Sequence, residues 1–250
     1  MSRYNPILPR IISRKQLKCG FTTRNGGVSP PPYDSLNLGG KTADDPLNIR
    51  GNRSIVCYFS GVDEKNVALM EQVHGNNISI VHTGGIFPET DGLITSKSGI
   101  MLGVLVADCI PLLLFDPARR VIGAVHCGWR SIVAEIAEKT INTMIDEMGT
   151  HPEDVLAVMG PSAGSCCYEI DKETTDLLLP ESIIIRDGEI YADLRAELRI
   201  RLLKAGLSGQ NLEIFPDCTI CNRNLYFSHR RDKKNAGRMM GYIIRQKDKG

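Results

Sequence analysis

The clearest apolar runs along the chain cover residues 101–107 and 121–125. Both are short and rich in aliphatic and β-branched side chains, and they predict two neighbouring buried strands. Asp116-Pro117-Ala118-Arg119 reads as the hairpin turn joining them. Further strands are predicted at 67–70, 78–81, 90–95 and 156–159. Periodicity nearer 3.6 predicts helices. One opens at Asp45-Pro46 and stops at Gly61; a second runs from Ser131 to Gly149, carrying Ile132, Ile136, Ile141 and Met144. A third is capped by Asp171, and a fourth runs from Ala192 to Leu203. Strands and helices intermingle without repeats, which favours a single α/β or α+β domain.

Composition narrows the functional classes. At 250 residues the chain can bury one sizeable core, and a net charge of +1 provides no field for nucleic acid. No apolar run is long enough to span a bilayer, and residues 1–14 lack a signal-peptide core, so a cytoplasmic protein is expected. The eight cysteines are scattered, as free thiols of a reducing compartment would be. Cys218 and Cys221 have metal-knuckle spacing but no second such pair, and Cys166 and Cys167 are adjacent. Both pairs are read as structural or as pocket wall.

Candidate chemistry gathers at the ends of the two central runs, where Asp108-Cys109 follows the first and His126-Cys127-Gly128-Trp129-Arg130 the second. A Cys or His at a strand end is more often a satisfied core or turn residue than a ligand. A third donor, His74 in Glu71-Gln72-Val73-His74-Gly75, shifts that balance, because three ligands from separate segments leave a fourth position open, as in catalytic zinc sites. The glycine turn after Arg24 offers backbone amides that suit an anion, although ordinary surface turns look the same. The basic segment from Phe227 to Arg231 is a candidate oxyanion wall, while 247–250 reads as a solvated end.

Taken together, Phe21-Thr22-Thr23-Arg24 with Gly26-Gly27, Ser35-Leu36-Asn37-Leu38-Gly39, the Gln72 to Gly75 segment, Thr90-Asp91-Gly92, Asp108-Cys109-Ile110-Pro111, His126 to Arg130, Cys167-Tyr168-Glu169, and Phe227 to Asp232 with Gly237-Arg238 resemble the laccase-domain family. This family is also described as YfiH/YlmD-type purine nucleoside phosphorylases or polyphenol oxidases. The likeness spans about residues 19–243 of one domain covering 1–250 and implies an α+β fold, a layered α/β/β/α sandwich with mixed sheets. It also implies zinc, with copper as the other metal, held by His74, Cys109 and His126. The implied activities are phosphorolysis of adenosine, inosine and S-methyl-5'-thioadenosine, and deamination of adenosine at the same site. Asp91 and Asp108 are the acids inside these motifs that could move a proton. Arg24, Arg130, Arg230 and Arg238 could hold phosphate, with Arg130 first because it follows His126 at a helix start. Asn37 and Gln72 complete the expected substrate contacts.

The expected partners are purine nucleosides and phosphate, without nucleic acid or membrane, for a monomer or weak homo-oligomer. Cys127 and Ser131 stand where the family commonly has small residues, placing a second thiol in the ligand motif. The other readings are a copper-dependent oxidase of phenols, a closed structural metal site with Cys127 as fourth ligand, and a cysteine hydrolase using Cys109.

Overall fold

In the computed structural model, which describes residues 4–12 and 17–246, the apolar runs form two sheets stacked face to face. In chain order the strands are β1 (Leu17–Phe21), β2 (Val67–Met70), β3 (Ile78–Ile80), β4 (Gly85–Phe87), β5 (Gly92–Thr95), β6 (Met101–Val106), β7 (Ile110–Asp116), β8 (Val121–Cys127), β9 (Leu156–Met159), β10 (Ile183–Arg186), β11 (Glu189–Ala192), β12 (Leu212–Ile214) and β13 (Met239–Arg245). The first sheet has the order β1-β13-β6-β2-β4 and the second β12-β9-β7-β8-β5-β3, each with parallel and antiparallel pairs. β10 and β11 form a separate hairpin.

The helices are α1 (Pro46–Ser60), α2 (Trp129–Val133), α3 (Ile136–Met148), α4 (Lys172–Thr175), α5 (Leu194–Lys204) and α6 (His229–Asp232). Phe21, Leu102, Val104 and Ile243 of the first sheet meet Leu113, Phe115, Ile122 and Val158 of the second in the central layer. The alternate side chains Leu112, Leu114 and Val125 pack outward on Ile136, Ile141, Leu198 and Leu202 of α3 and α5. On the opposite outer face, Val56 of α1 covers Leu69, Met101 and Met240. The result is the expected α/β/β/α sandwich of mixed sheets. Because both faces of β7 and β8 are covered, these strands read as continuous apolar runs without alternation. No helix among the described residues is long and apolar enough to cross a membrane.

Three expectations change. The runs at 101–107 and 121–125 are not paired neighbours: β6 lies in one sheet and β8 in the other, and the 116–119 turn joins β8 to the unanticipated β7. The crossing between sheets, at Ala107-Asp108-Cys109, brings Cys109 towards β8. The helix predicted from Ser131 to Gly149 breaks at Glu135, whose φ of 63° is left-handed, and the Ala134 carbonyl accepts a bond from Asn76 Nδ2 at 2.6 Å. The basic tail contributes β13, an inner strand of the first sheet. Residues 247–250, read as a solvated end, lie outside the described residues.

Candidate metal centre

His74, Cys109 and His126 converge, their ligand atoms all lying within 4.8 Å of one another. His74 sits in the turn after β2 with φ 59°, a left-handed conformation unusual for a non-glycine residue. Asp91 over-determines that turn: its carboxylate accepts the amides of Val73 and His74 at 3.1 Å and of Gly75 at 2.8 Å. Asp91 Oδ1 also meets His126 Nδ1 at 2.8 Å, and its backbone carbonyl accepts the His126 amide at 2.7 Å. The carboxylate contact fixes the ring and leaves Nε2 as the metal-facing atom, a carboxylate–histidine arrangement common at metal sites. The two imidazoles meet edge to face with centroids 4.7 Å apart.

Cys109 follows Asp108, another left-handed residue at φ 86°. The buried Asp108 carboxylate accepts from Thr219 Oγ1 at 2.7 Å, Ser228 Oγ at 3.0 Å and the Arg230 amide at 2.6 Å, tying the Cys109 turn to the C-terminal segment. Burial alone would raise the Cys109 thiol, but His126 and His74 outweigh it and hold the pKa down to about 6. Burial opposes protonation of His126, whereas Cys109 and Asp91 raise its pKa to about 9. Without metal the pair is therefore a thiolate and an imidazolium near neutrality. In metal-stripped protein, Cys109 should react with iodoacetamide down to about pH 6, losing reactivity as falling pH protonates the thiolate. In His126→Ala the midpoint should move upward, which a pH series of alkylation rates followed by mass spectrometry measures.

Gly128 closes the site from the side. A Cβ there would lie 3.1 Å from His74 Cδ2 and 3.2 Å from Cys109 Sγ, while its φ of −77° suits any residue. Gly128→Ala should therefore disturb the ligands without straining the backbone. We expect metal affinity to fall by about tenfold or more with the fold intact, checked by zinc titration against a chelator.

Cys127 is not part of the cluster. It alternates to the other face of β8, is fully buried in the core with Ile110 and Ile132, and its thiol is raised well above its ordinary value by burial and by Cys109. The possible fourth ligand and oxidisable second thiol is thus a core side chain. His82 and His151 are exposed and belong to no converging donor group among the described residues.

The remaining expected residues divide by what they touch. Arg24 gives Nε to the Asp34 carbonyl at 2.8 Å and Nη1 to the Arg223 carbonyl at 3.2 Å, pairs with the Asp34 carboxylate and stacks on Phe227. Amides of the neighbouring glycine turn go to Ser35 Oγ and Asn52 Oδ1 rather than outward. Asn37, fully buried, bonds Thr42, Asp44 and the amides of Gly39 and Arg238. Gln72 clamps both backbone groups of Leu105 at 2.8 and 3.0 Å.

Arg130 is exposed and lies over Trp129 at 4.3 Å. Arg230 lies over Tyr168 at 4.3 Å and donates to the Glu169 carbonyl. Arg238 is half-buried, with Nη1 on the Ala236 and Gly237 carbonyls. Burial lowers its pKa while Cys109 and Asp108 favour its charge, which puts it within electrostatic reach of the centre. Tyr168, passed over as a site residue, is shifted up by burial and then by Cys109, so it too lies within electrostatic reach of the centre. The motif Cys167-Tyr168-Glu169 was its only signal.

A profile of the family described as multi-copper polyphenol oxidoreductase laccase matches residues 18–246. Purine nucleoside phosphorylase YlmD of Bacillus subtilis is 31% identical, with 92% of this chain and 89% of that protein covered. Purine nucleoside phosphorylase Cgl2154/cg2365 of Corynebacterium glutamicum is 38% identical over 89% of this chain and 92% of its own length. The crystal structure of YlmD from Geobacillus stearothermophilus superposes with a TM-score of 0.90 at 30% identity, covering 96% of this chain and all of that one. With the family profile matched over residues 18–246 and its sandwich in common with that crystal structure, the chain belongs to the laccase-like YfiH/YlmD family.

Proposed function

We propose that the chain is a zinc-dependent purine nucleoside phosphorylase acting on adenosine, inosine and S-methyl-5'-thioadenosine, with adenosine deamination at the same site. The observation that carries the reading is the convergence of His74, Cys109 and His126, in a chain whose relatives are named purine nucleoside phosphorylases. Two imidazoles and one thiolate suit zinc, and three protein ligands are the number found where a coordination position is kept for chemistry. Zinc held there supplies Lewis acidity.

Asp91 and Asp108 act as positioning residues in this reading, because both carboxylates are spent on protein donors. Arg24, Asn37 and Gln72 likewise support the walls. That leaves Arg130, Arg230 and Arg238 to hold phosphate, the last in the field of Cys109. In phosphorolysis a phosphate oxygen bonds to the ribose C1' as the bond to the purine nitrogen breaks, and a guanidinium fork fixes the attacking anion.

Inosine with phosphate should give hypoxanthine and ribose 1-phosphate, and adenosine without phosphate should give inosine. If one pocket serves both, raising phosphate should suppress deamination as phosphorolysis rises. Arg130→Lys and Arg238→Lys keep charge but lose the fork, so the variant that relieves this suppression marks the phosphate site. An unchanged phosphate response in both would move the site to Arg230.

A second reading, copper-dependent oxidation of phenols, is favoured by the donor set itself, since copper binds such nitrogen and sulfur ligands tightly. Among the described residues only two donor groups converge, this triad and a set of four cysteines, so neither supplies a histidine-rich multicopper cluster. Phenol turnover only with added copper, beside phosphorolysis without it, would demote phenol oxidation to a secondary activity of a copper-substituted centre.

A further inference from the structure

The two cysteine pairs that look unpromising in sequence meet in space. Cys166 and Cys167 lie in the loop after Gly164, Cys218 and Cys221 in the turn beside it, and the two segments are joined by the parallel bridge of Ser162 with Cys218. All four Sγ atoms lie within 4.8 Å of one another, with Cys166 to Cys221 at 3.5 Å and Cys167 to Cys221 at 3.3 Å. A disulfide needs about 2.05 Å, so these contacts are too long for a bond. A tetrahedral ion with sulfur ligands at about 2.3 Å places its sulfurs about 3.8 Å apart, which fits the cluster's scale.

We propose that Cys166, Cys167, Cys218 and Cys221 form a second metal site, a closed tetrathiolate for one zinc ion, separate from the His74, Cys109 and His126 centre. Four sulfurs with no imidazole or carboxylate form a soft donor set, and tetrahedral S4 coordination suits zinc. The backbone is arranged for anionic sulfur: the Gly164 amide donates to Cys218 Sγ at 3.2 Å, and the Cys221 and Ile220 amides point at the same sulfur. The Cys218-Thr219-Ile220-Cys221 spacing is that of a metal knuckle. Cys166 and Cys221 are exposed, so an ion can enter from solvent. Binding forms four metal–sulfur bonds and releases the protons of those cysteines that are still thiols to the buffer.

The ion would staple two loops that wall the first centre. The 163 segment donates its Ala163 amide to the Asp108 carbonyl, and Thr219, between the knuckle cysteines, bonds the Asp108 carboxylate at 2.7 Å. The knuckle also offers the Thr219 and Ile220 carbonyls to Arg231 at 3.0 Å. Closed four-sulfur coordination assigns this ion a structural role.

The test is a metal count by native mass spectrometry on the full chain, purified under reducing conditions with zinc present. Wild type should carry about two zinc ions, and His126→Ala and the double variant Cys218→Ser/Cys221→Ser about one each. Cobalt taken up by His126→Ala should give the intense sulfur-to-metal charge-transfer bands of tetrathiolate coordination, and the double variant, whose remaining centre offers the single sulfur of Cys109, should give much weaker ones. Because that variant could fail to fold, the deciding measurements are the wild-type count and the cobalt spectrum of His126→Ala. A wild-type count of one, with the four cysteines fully titratable by a thiol reagent in native protein, would overturn the site. So would a mass about 2 Da low, which reports a disulfide.

Discussion

His74→Ala, Cys109→Ala and His126→Ala are each expected to lose the metal of the triad and to cut phosphorolysis and deamination by roughly a thousandfold or more, about 4 kcal/mol of transition-state stabilisation. All three should stay folded, because other bonds hold the ligand segments. β8 pairs along its length with β7, and Pro111 stands opposite His126 in that ladder. The Cys109 turn is anchored through Asp108 to Thr219, Ser228 and Arg230, and the His74 turn through its own amide to Asp91. Deleting one side chain removes a donor to the metal but none of these anchors. Zinc content, circular dichroism and inosine turnover of each variant provide the check. A variant that kept both metal and full activity would leave the ligand set.

How much of this was legible beforehand follows from the physics of each feature. The candidate ligands could be found because His and Cys at the ends of apolar runs contrast with their neighbours. β7 was missed because Pro111 near its start reads as a turn, yet Pro111 keeps its carbonyl in use by accepting the Gly160 amide at 2.9 Å. The break at Glu135 left no mark because the apolar spacing continues across it into α3. β13 was hidden by the basic residues around it, although Met239 to Ile244 are buried.

The bonding partners of the candidate site residues were not legible. Asp91 and Asp108 are acids inside the motifs, and an acid near a metal suggests proton transfer. Their actual partners are backbone amides and hydroxyls from segments up to 122 residues away, which no local pattern records. The four-cysteine cluster was illegible for the same reason: Cys167 and Cys166 lie 54 and 55 residues from Cys221 and meet it only through folding. Arginine partners were equally hidden, because a guanidinium bonded to backbone carbonyls, as that of Arg24 is, has the same sequence signature as an anion-binding one.

Asp91→Asn and Asp91→Ala should show whether that residue positions or shuttles protons, and both should have large effects. Asp91 is fully buried, and its pKa is lowered: burial raises it, but His126 and the amides of Gly75 and Val73 together outweigh burial. A carboxylate with a depressed pKa is anionic above its ordinary range, so its stabilisation is present at neutral pH and is lost as pH falls through the folded-state value. Ala leaves three amides and the His126 ring without their acceptor. At about 1–3 kcal/mol for each buried donor left unpaired, partly relieved by water at the His74 turn, the loss should lower Tm clearly.

Asn keeps the shape but has one acceptor oxygen, and its NH2 group faces donors. Whichever way the amide turns, its NH2 meets either the His126 ring and the His74 amide or the amides of Val73 and Gly75, so His126 is held less firmly with Nε2 turned to the metal. Zinc affinity should fall by about 10–100-fold in Asp91→Asn. Excess zinc should then restore much of the activity, since a positioning residue acts through metal occupancy and geometry. A proton shuttle predicts the opposite split: zinc retained at wild-type affinity, kcat lost, and no rescue by zinc. Competitive zinc titration combined with kcat measured at saturating metal separates the two, and full metal binding with a collapsed kcat would return Asp91 to the role of general acid–base.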